Sequence, residues 1–337
     1  MTASEYLVVR LKHYKTRHIF MIVGGAAMYL NDAVIQEKSI TYICNHHEQA
    51  ATMAAECYAR ITGVPGVVVV TSAAASTNTL TGVLGAWWDS IPMLIISGNA
   101  RREMLTYNKP HLRQLGVQDT RIVDIVAPMT KYAVTVDDPQ KIGYYLDKAW
   151  YLATTGRNGP VWLDIPLDVQ GAQINLKKMV KFVPPKESKK DLRAVVKKTL
   201  HHLKKSIHPV VIVGSGVRLS GNTKLFHNVI KKLKIPVLTS LTAQDMMYET
   251  HPLYGGRFGP YGTQKGNDLV KDADCMLVLG DRLYLWQIGY EYKDFGKYAF
   301  KIMVDIDKAE LEKPTLSIDL PVHADVGQFL TEMDRQV

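Results

Sequence analysis

Short apolar runs alternate along this chain with longer segments in which apolar residues recur every three or four positions. The runs predict strands and the longer segments predict helices, an alternation that is typical of βαβ units building a parallel sheet. In the first half the predicted strands are "IFMIVGG", "SITYIC", "GVVVVT", "MLIISG" and "GPVWLDIP". In the second half they are "HPVVIVGSG", "IPVLTS", "DCMLVLGDR" and "AFKIMVDID". The pattern therefore predicts an α/β protein with two doubly wound parallel-sheet domains.

Predicted helices separate these strands. One helix runs from His47 to about Ile61, where Gly63 and Pro65 end it as a C-terminal glycine and a helix breaker. The segments "TNTLTGVLGAWWD" and "DPQKIGYYLDKAWYLATTG" predict two more helices in the first half. In the second half, helices are predicted at residues 192–205 and 222–233.

The positive charge of the chain is concentrated in one stretch. Residues 175–205 contain eleven Lys or Arg and two Asp or Glu, a net charge of +9 that equals the net charge of all 337 residues. The stretch includes Pro184-Pro185, and Phe182 is its one Phe, Tyr or Trp. We interpret it as a basic linker that leads into an amphipathic helix, with a phosphate- or polyanion-binding surface as the alternative. The predicted domains are residues 1–174 and 192–337, joined by a linker at residues 175–191, and nucleic acid is not an expected partner.

The composition favours a cytoplasmic protein. Cys44, Cys57 and Cys275 show no CxxC spacing and lie among apolar neighbours, so we interpret them as reduced core thiols. Apolar runs are too short to span a membrane, and charges interrupt the N-terminal segment too often for a secretory signal. His46 and His47 are adjacent and project to different sides, so no metal site is predicted there.

Polar or glycine residues follow several predicted strands of the first half. They are Gly24-Gly25, Glu48, the segment "TSAAASTN" from Thr71 to Asn78, and "GN" at residues 98–99. Ligands of doubly wound sheets bind beyond the carboxyl ends of the strands, so these positions mark a candidate site. From position alone, Glu48 either caps the predicted helix or takes part in proton chemistry.

The second half carries weaker signals at its strand ends. "VGSG" before a helix is half of a dinucleotide-binding fingerprint, and without the full G-x-G-x-x-G it favours a tight strand-to-helix turn. Asp305 and Asp307 in "VDID" either bind a ribose or cap the strand end and the next helix. A dinucleotide-binding oxidoreductase therefore remains a minor alternative.

The segment "HHEQAATMAAECYARITGVPGVVVVTSAAASTNTLTGVLGAWWDSIPMLIISG" resembles the pyrimidine-binding domain of thiamine-diphosphate enzymes that act on 2-oxo acids, in particular the acetolactate synthase large subunits. The shared pattern is His-Glu-Gln, Ala-x-Gly-Tyr-Ala-Arg, Gly-x-Pro-Gly-Val, Thr-Ser-Gly-Pro-Gly-x-x-Asn and Asp-Ser-Ile-Pro. The second half resembles the central domain of that family in "PVVIVGSGVRLSG", "LKIPVLTSL", "HPLYGGRFGPYGT", "DADCMLVLGDRL" and "VDIDKAEL". The resemblance covers nearly the whole chain.

The resemblance implies a role for each candidate site residue. In this family the Glu that matches Glu48 hydrogen-bonds N1′ of the cofactor's aminopyrimidine and promotes removal of the reactive proton. Gly24 and Gly25 match the strand-end Gly-Gly near the pyrimidine, and Asn78 matches the Asn that closes the Thr-Ser-Gly-Pro-Gly-x-x-Asn loop. Gln118 in "LGVQDTRIVDIV" matches an active-site Gln. The implied catalytic residues are Glu48 and Gln118, the implied cofactor-binding residues are Gly24, Gly25, Glu48 and Asn78, and no metal ligand is implied in this chain.

Two departures from the family pattern affect the expected function. Ala73-Ala74-Ala75 replaces Gly-Pro-Gly, so the loop is reshaped, its contact with the cofactor is lost, or the alanines were introduced deliberately. The family continues beyond the position of Val337 with a domain that binds Mg²⁺ and the diphosphate. We therefore expect that domain downstream or on another chain. "GDRLYLWQIGYEYKDFG" departs from the flavin-binding run of true acetolactate synthases, so FAD is not expected.

The resemblance implies an enzyme that decarboxylates a 2-oxo acid such as pyruvate with thiamine diphosphate and Mg²⁺. The product, held on the cofactor as an enamine, would pass to a carbonyl acceptor or a proton, as a lyase or transferase does. The complete enzyme is expected to be a homodimer or tetramer. The alternative is a non-catalytic assembly or regulatory protein that reuses the fold.

Overall fold

The structure, a computed structural model, describes residues 1–107, 109, 111–186 and 190–337. The chain forms two compact units, residues 1–186 and 187–337. Among the described residues, each unit holds one six-stranded sheet in which every pair of neighbouring strands is parallel. The predicted class of two doubly wound parallel-sheet domains is confirmed.

The first unit has the strand order β2-β1-β3-β4-β6-β5. Its strands are β1 (His18–Met21), β2 (Thr41–Cys44), β3 (Gly66–Val70), β4 (Met93–Asn99), β5 (Tyr132–Thr135) and β6 (Pro160–Pro166). Its helices are α1 (Ala3–His13), α2 (Met28–Gln36), α3 (Glu48–Thr62), α4 (Ala74–Asn78), α5 (Leu80–Trp88), α6 (Ile122–Val126), α7 (Ile142–Thr154) and α8 (Leu167–Gln170). Short 3₁₀ turns lie at Gly25–Ala27, Arg102–Met104, Ala127–Met129, Pro139–Lys141 and Leu176–Lys178.

The second unit has the strand order β12-β11-β10-β7-β8-β9. Its strands are β7 (Pro209–Val213), β8 (Val237–Thr239), β9 (Tyr254–Arg257), β10 (Cys275–Leu279), β11 (Phe300–Asp305) and β12 (Leu320–His323). Its helices are α9 (Arg193–Lys205), α10 (Ser215–Leu219), α11 (Thr223–Leu233), α12 (Gln264–Asp272), α13 (Leu285–Ile288), α14 (Lys308–Glu312) and α15 (Val326–Gln336), with 3₁₀ turns at Leu241–Met246 and Tyr292–Asp294.

The strands that the sequence pattern does not predict are edge strands. They are β5, β9 and β12, and none of them is buried along its whole length. Partial burial removes the continuous apolar run that marks a central strand. Pro321 within β12 fits this position, because proline lacks an N–H donor and is tolerated at a sheet edge. Helix α1 is also not predicted, although its capping box of Thr2 and Glu5 is a local start signal.

Part of the predicted linker lies on the first unit. Asn175 donates its backbone N–H to Gln140 Oε1 over 3.3 Å. Farther along, Met179 packs against the core of the unit, and the ring of Phe182 lies 5.8 Å from that of Tyr144 on α7. The contacts therefore divide the chain after residue 186, whereas the predicted first domain ends at residue 174.

Small residues bring helix α3 close to strand β3. Ala51, Ala55 and Ala59 recur every four residues and are buried on one face of the helix. A Cβ on Gly66 of β3 would lie 2.1 Å from the carbonyl oxygen of Ala55, so only glycine allows this approach. The predicted end at Gly63 is confirmed: this residue has φ 70° and donates its N–H to the Ala59 carbonyl. The close packing fixes the helix start, and with it Glu48, at the carboxyl edge of the sheet.

The glycine turn of the second unit is used for packing. Gly214 donates its N–H to Leu279 and Gly216 donates to Gly280, each over 3.0 Å. A dinucleotide-binding turn leaves such N–H groups facing the phosphates, whereas these two bind the neighbouring strand end. Asp307 caps α14 by accepting from Ala309, and Asp305 accepts the N–H of Asp307. These contacts agree with the tight-turn and capping interpretations.

The three cysteines differ in exposure. Cys275 on β10 is buried, whereas Cys44 and Cys57 are exposed, so the interpretation of these two as core thiols is wrong. Cys44 ends the edge strand β2, whose four residues are all exposed.

Candidate functional site

The sheet of the first unit has its topological switch point between β1 and β3. From β1 the chain passes through α2 to β2 on one side of β1, and then crosses to β3 on the other side. Connections that leave in opposite directions open a crevice at the carboxyl ends of two neighbouring strands. Gly24-Gly25 follows β1 and Thr71 follows β3, so both border this crevice.

The turn after β1 is held in place by three side chains. Thr71 Oγ1 accepts the N–H of Ala26 over 3.2 Å, and Asn31 donates to the carbonyl of Gly24 over 3.3 Å. Gln170, which is fully buried, donates to the carbonyl of Ala26 over 2.7 Å. The carbonyl oxygens and N–H groups of the turn are thereby oriented before any ligand binds.

The two glycines of this turn have different surroundings. A Cβ on Gly24 would lie 2.5 Å from Thr71 Cβ, so the missing side chain lets the two strand ends approach. A Cβ on Gly25 would meet no atom within 4 Å, and the residue is exposed. Gly24 is therefore required by packing, while Gly25 leaves open space beside the crevice.

Glu48 and Asn78 meet although they belong to different strand-to-helix connections. Glu48 is the first residue of α3, and the preceding His47 caps the helix by accepting the N–H of Gln49 at Nδ1. Asn78 ends α4 and donates from Nδ2 to Glu48 Oε2 over 3.0 Å. The Glu48 side chain is thus not used as the helix cap, and the residue is half-buried at the carboxyl edge of the sheet. Its Oε1 accepts no hydrogen bond from any side chain or backbone group of the described residues.

The loop with three alanines keeps a glycine-like turn. Ala73 has φ 51° and ψ −119°, a conformation in which the side chain of an L-residue is strained. Its carbonyl accepts from Thr77 and Ser76, and these bonds hold the turn as α4 begins. Replacement of glycine by alanine therefore has not opened the loop, and Asn78 remains within reach of Glu48.

Gln118 lies on the long segment that follows β4. It is exposed and has φ 55°, in the left-handed region. No hydrogen bond joins Gln118 to Glu48 or Asn78 in the described part of the chain. The structure therefore brings Glu48 and Asn78 together, places Gly24-Gly25 at the neighbouring switch point, and places Gln118 on the segment that follows β4.

A buried carboxylate at the end of β6 was not predicted from the sequence. Asp164 has no exposed surface and accepts from Ser97, Asn99 and Thr135 over 2.7, 2.9 and 3.2 Å. Burial raises the pKa of Asp164 to about 7, the three hydrogen bonds oppose this shift, and the nearby Asp119 adds to it. Its signal in the sequence is a lone acid inside the apolar run "VWLDIP".

Comparison with known proteins identifies the family to which the chain belongs. Residues 1–121 match the family described as thiamine pyrophosphate enzyme, N-terminal TPP binding domain, and residues 196–333 match the central domain of the same enzymes. The chain belongs to the thiamine pyrophosphate enzyme family. The resemblance stated from the sequence motifs is thereby confirmed.

Similar curated members of the thiamine pyrophosphate enzyme family carry the name of one enzyme. The acetolactate synthase large subunit of Lactococcus lactis subsp. lactis is 33% identical over 334 residues, which are 98% of this chain and 56% of the relative. The probable acetolactate synthase large subunit of Methanocaldococcus jannaschii is 30% identical over 343 residues, covering 99% of this chain and 56% of the relative. The acetolactate synthase large subunit of Buchnera aphidicola subsp. Schizaphis graminum is 32% identical over 343 residues, covering 99% of this chain and 57% of the relative. The chain spans little more than half the length of these relatives.

The residues at the switch point fit the pyrimidine half of thiamine diphosphate. A carboxylate with one oxygen left open can pair with a ring nitrogen. A Cβ on Gly25 would meet no atom within 4 Å, so the turn after β1 leaves open space at this position. No group of three or more His, Cys, Asp or Glu among the described residues is arranged to hold a metal ion. Within the same residues, no helix combines the length and the apolar character needed to cross a membrane.

Proposed function

We propose that these 337 residues form the pyrimidine-binding and central domains of an acetolactate synthase-like enzyme that uses thiamine diphosphate. Its substrate would be a 2-oxo acid such as pyruvate, which loses CO₂ before the remaining fragment passes to a carbonyl acceptor or a proton. The observation that carries the proposal is the Glu48 carboxylate, which Asn78 orients beside the switch point. The names of the relatives favour an enzyme over a non-catalytic module.

Each site residue then has a distinct task. Glu48 would hold a proton between its carboxylate and the pyrimidine ring nitrogen, and Asn78 would fix the rotamer of that carboxylate. The backbone at Gly24 and Gly25 would line the face of the ring. Gln118 would approach the substrate from its loop. When bound, thiamine diphosphate supplies the carbanion chemistry that decarboxylation of a 2-oxo acid requires.

We propose, following the resemblance, that Mg²⁺ and the diphosphate are bound outside the domains described above, on a domain downstream or on another chain. The active enzyme would be a homodimer or tetramer, located in the cytoplasm. The central domain would work without FAD, so the purified protein should show no flavin absorption band. Residues 175–191 would act as the linker between domains 1–174 and 192–337.

The proposal is tested by replacing Glu48 with Gln in the full-length gene product. Glutamine keeps the size of the side chain and a hydrogen-bonding group but cannot hold and release the proton. Release of CO₂ from pyruvate, measured with thiamine diphosphate and Mg²⁺, should fall by about 10²- to 10⁴-fold. The matched control is Glu56→Gln on the same helix, where the carboxylate pairs with Arg60 away from the switch point. That variant should retain most of the activity.

Two results would contradict the proposal. One is a Glu48→Gln variant with turnover near that of the parent, and the other is a parent protein without any activity on 2-oxo acids. Binding of the cofactor's pyrimidine fragment, 4-amino-5-hydroxymethyl-2-methylpyrimidine, gives a readout that does not depend on turnover. Its NMR shift changes should be lost in Glu48→Gln and retained in Glu56→Gln.

A further inference from the structure

Three neighbouring strands place polar side chains side by side at the carboxyl edge of the first sheet. Ser97 on β4 and Thr135 on β5 are both in register with Asp164 on the intervening strand β6. Residues in register point to the same face, so the two hydroxyl groups meet the carboxylate from opposite sides. Ser97 in turn accepts the indole N–H of Trp162 over 2.9 Å. All direct donors to Asp164 are neutral groups, and the carboxylate serves as their common acceptor.

This acceptor is connected to the loop that carries Gln118. We name the described residues 100–107, 109 and 111–121 the Gln118 loop. Asn99 uses one amide group for two bonds: its Nδ2 donates to Asp164 over 2.9 Å and to the carbonyl of Thr120 over 3.1 Å. Asn99 Oδ1 accepts the N–H of Ala100 over 2.9 Å. Both the first residue of the loop and a residue near its end are therefore bound to one buried side chain.

A second connection enters the loop through a tyrosine. The hydroxyl oxygens of Tyr107 and Thr135 lie 3.0 Å apart, and Thr135 is also 3.2 Å from Asp164. A hydroxyl has a single proton, so Thr135 donates to the carboxylate and Tyr107 donates to Thr135. The middle of the Gln118 loop is thus also bound, through one relay, to the same carboxylate.

The loop is closed on itself between these connections. Gly116 donates its N–H to the Met104 carbonyl over 2.9 Å, and Asp119 accepts the N–H of Thr106 over 3.0 Å. Thr106 and Asp119 are buried. These bonds join the two arms of the loop.

The loop is also anchored at Arg102. Its backbone N–H and its guanidinium donate to Asp168, and the guanidinium also donates to the Asp137 carbonyl. The connections through Asn99 and Tyr107 are those that depend on Asp164.

We infer that Asp164 is a positioning residue that holds the Gln118 loop at the carboxyl edge of the sheet through Asn99 and Thr135. Asp164 does not face the candidate site, because it is fully buried within the sheet. Its effect on catalysis rests on the proposed function, since it acts by placing Gln118. Its effect on the loop does not, and can be measured without any ligand.

The inference is tested by hydrogen–deuterium exchange of the chain at pH 8, where the carboxyl group is ionised. Asp164→Leu keeps the branching of the side chain and removes both acceptor oxygens. Amide exchange in peptides of residues 112–121 should rise about tenfold or more, as expected when charge-assisted hydrogen bonds are lost. Asp164→Asn keeps one carbonyl oxygen and should give a smaller rise. Thr135→Val removes the connection through Tyr107 and keeps the connection through Asn99. This variant replaces Asp164→Leu in the test if Asp164→Leu does not fold.

Asp147→Leu is the matched control. Asp147 also accepts three hydrogen bonds, from Arg10 and Tyr14, but it joins α7 to α1 and has no hydrogen bond to the described residues of the Gln118 loop. This variant should raise exchange in α1 and leave residues 112–121 unchanged. If Asp164 only stabilises the fold, Asp164→Leu and Asp147→Leu should both raise exchange throughout residues 1–186, and this result would overturn the inference.

Two other results would also overturn it. One is unchanged exchange of residues 112–121 in Asp164→Leu, and the other is equal exchange in Asp164→Leu and Asp164→Asn.

Loss of loop order and loss of the proposed chemistry are distinguishable. The exchange measurement contains no cofactor, so its outcome is independent of the Glu48→Gln experiment. In the active full-length protein, Asp164→Asn should raise the KM for pyruvate more than it lowers kcat, because a displaced Gln118 contacts the substrate less well. Asp147→Leu should leave both constants within about twofold of the parent values, since surface and remote contacts contribute little.

Discussion

Asn78 donates a hydrogen bond to Glu48 over 3.0 Å, although 30 residues and a complete strand separate the two in the chain. One residue begins α3 and the other ends α4. In the sheet, β2 and β3 lie on opposite sides of β1, so the contact between Glu48 and Asn78 spans the switch point. Strand order, not local sequence, therefore assembles the candidate site.

Removal of the Asn78 amide should affect ligand binding more than stability. In Asn78→Ala, the Glu48 carboxylate loses the hydrogen bond that Asn78 Nδ2 donates, and it becomes free to rotate. Affinity for the aminopyrimidine fragment should fall about tenfold, the equivalent of roughly 1.4 kcal/mol. Because Asn78 is exposed, the free energy of unfolding should change by less than about 0.5 kcal/mol. Titration calorimetry and urea unfolding measure the two quantities, and unaltered affinity would contradict the positioning role of Asn78.

Replacement of Ala73 by glycine and replacement of Ala75 by glycine should change the stability of the first unit in opposite directions. Ala73 has φ 51°, so Ala73→Gly relieves backbone strain and should stabilise the first unit by about 1 kcal/mol. Ala75 lies inside α4, where glycine should destabilise by about 0.5–1 kcal/mol. Urea unfolding followed by tryptophan fluorescence reports mainly on this unit, which holds four of the five tryptophans. Equal effects at both positions would show that the turn at Ala73 is not strained.

Alanine substitutions at the two glycines after β1 should have different effects: Gly24→Ala should lower stability, and Gly25→Ala should lower affinity for the pyrimidine fragment. Gly24→Ala introduces a Cβ at 2.5 Å from Thr71 and should destabilise the unit by about 1–3 kcal/mol. Gly25→Ala meets no atom within 4 Å and should leave stability within about 0.5 kcal/mol of the parent. Its methyl group would occupy the space assigned to the pyrimidine ring, so affinity for the fragment should fall. A Gly25→Ala protein that binds as the parent does would place the ring elsewhere.

Stability should fall with rising pH through the titration of Asp164. Burial raises the pKa of this carboxyl group to about 7 in the folded chain, above its ordinary value of 3.8. The folded state therefore binds the proton more tightly than the unfolded state. The stabilisation is fully present below about pH 4 and is lost as the pH rises through about 7. The loss is on the order of a few kcal/mol for a fully buried group.

Comparison of the parent with Asp164→Asn isolates this contribution. The titratable groups that couple to Asp164 are Asp119, which raises its pKa, and Tyr107, whose own pKa burial raises to about 12. Urea unfolding at intervals between pH 4 and 8 gives the difference in free energy between the two proteins. That difference should move in favour of the variant as the pH rises. A difference that is constant over this range would show that Asp164 does not titrate there.

The central elements of both units are predictable because their signals are local. The run "GVVVVT" is β3, and the helix predicted from His47 begins one residue later at Glu48. Among the edge strands, β2 is predicted from "SITYIC", whereas β5 and β12 are not, because their apolar pattern is interrupted. For the candidate site, the motifs single out Glu48 and Asn78 but not the hydrogen bond between them.

The sequence by itself determined the fold class, the family and the types of side chain at the strand ends. Hydrophobic periodicity, glycine and proline act over a few residues, and motif order can be read along the chain. Only the tertiary structure decided that Glu48 meets Asn78, that Ala73 keeps a glycine-like turn, and that Asp164 lies 65 residues from its partner Asn99 yet within 2.9 Å of it. These relationships depend on which strands are neighbours and in which register, and both are fixed by packing over the whole sheet.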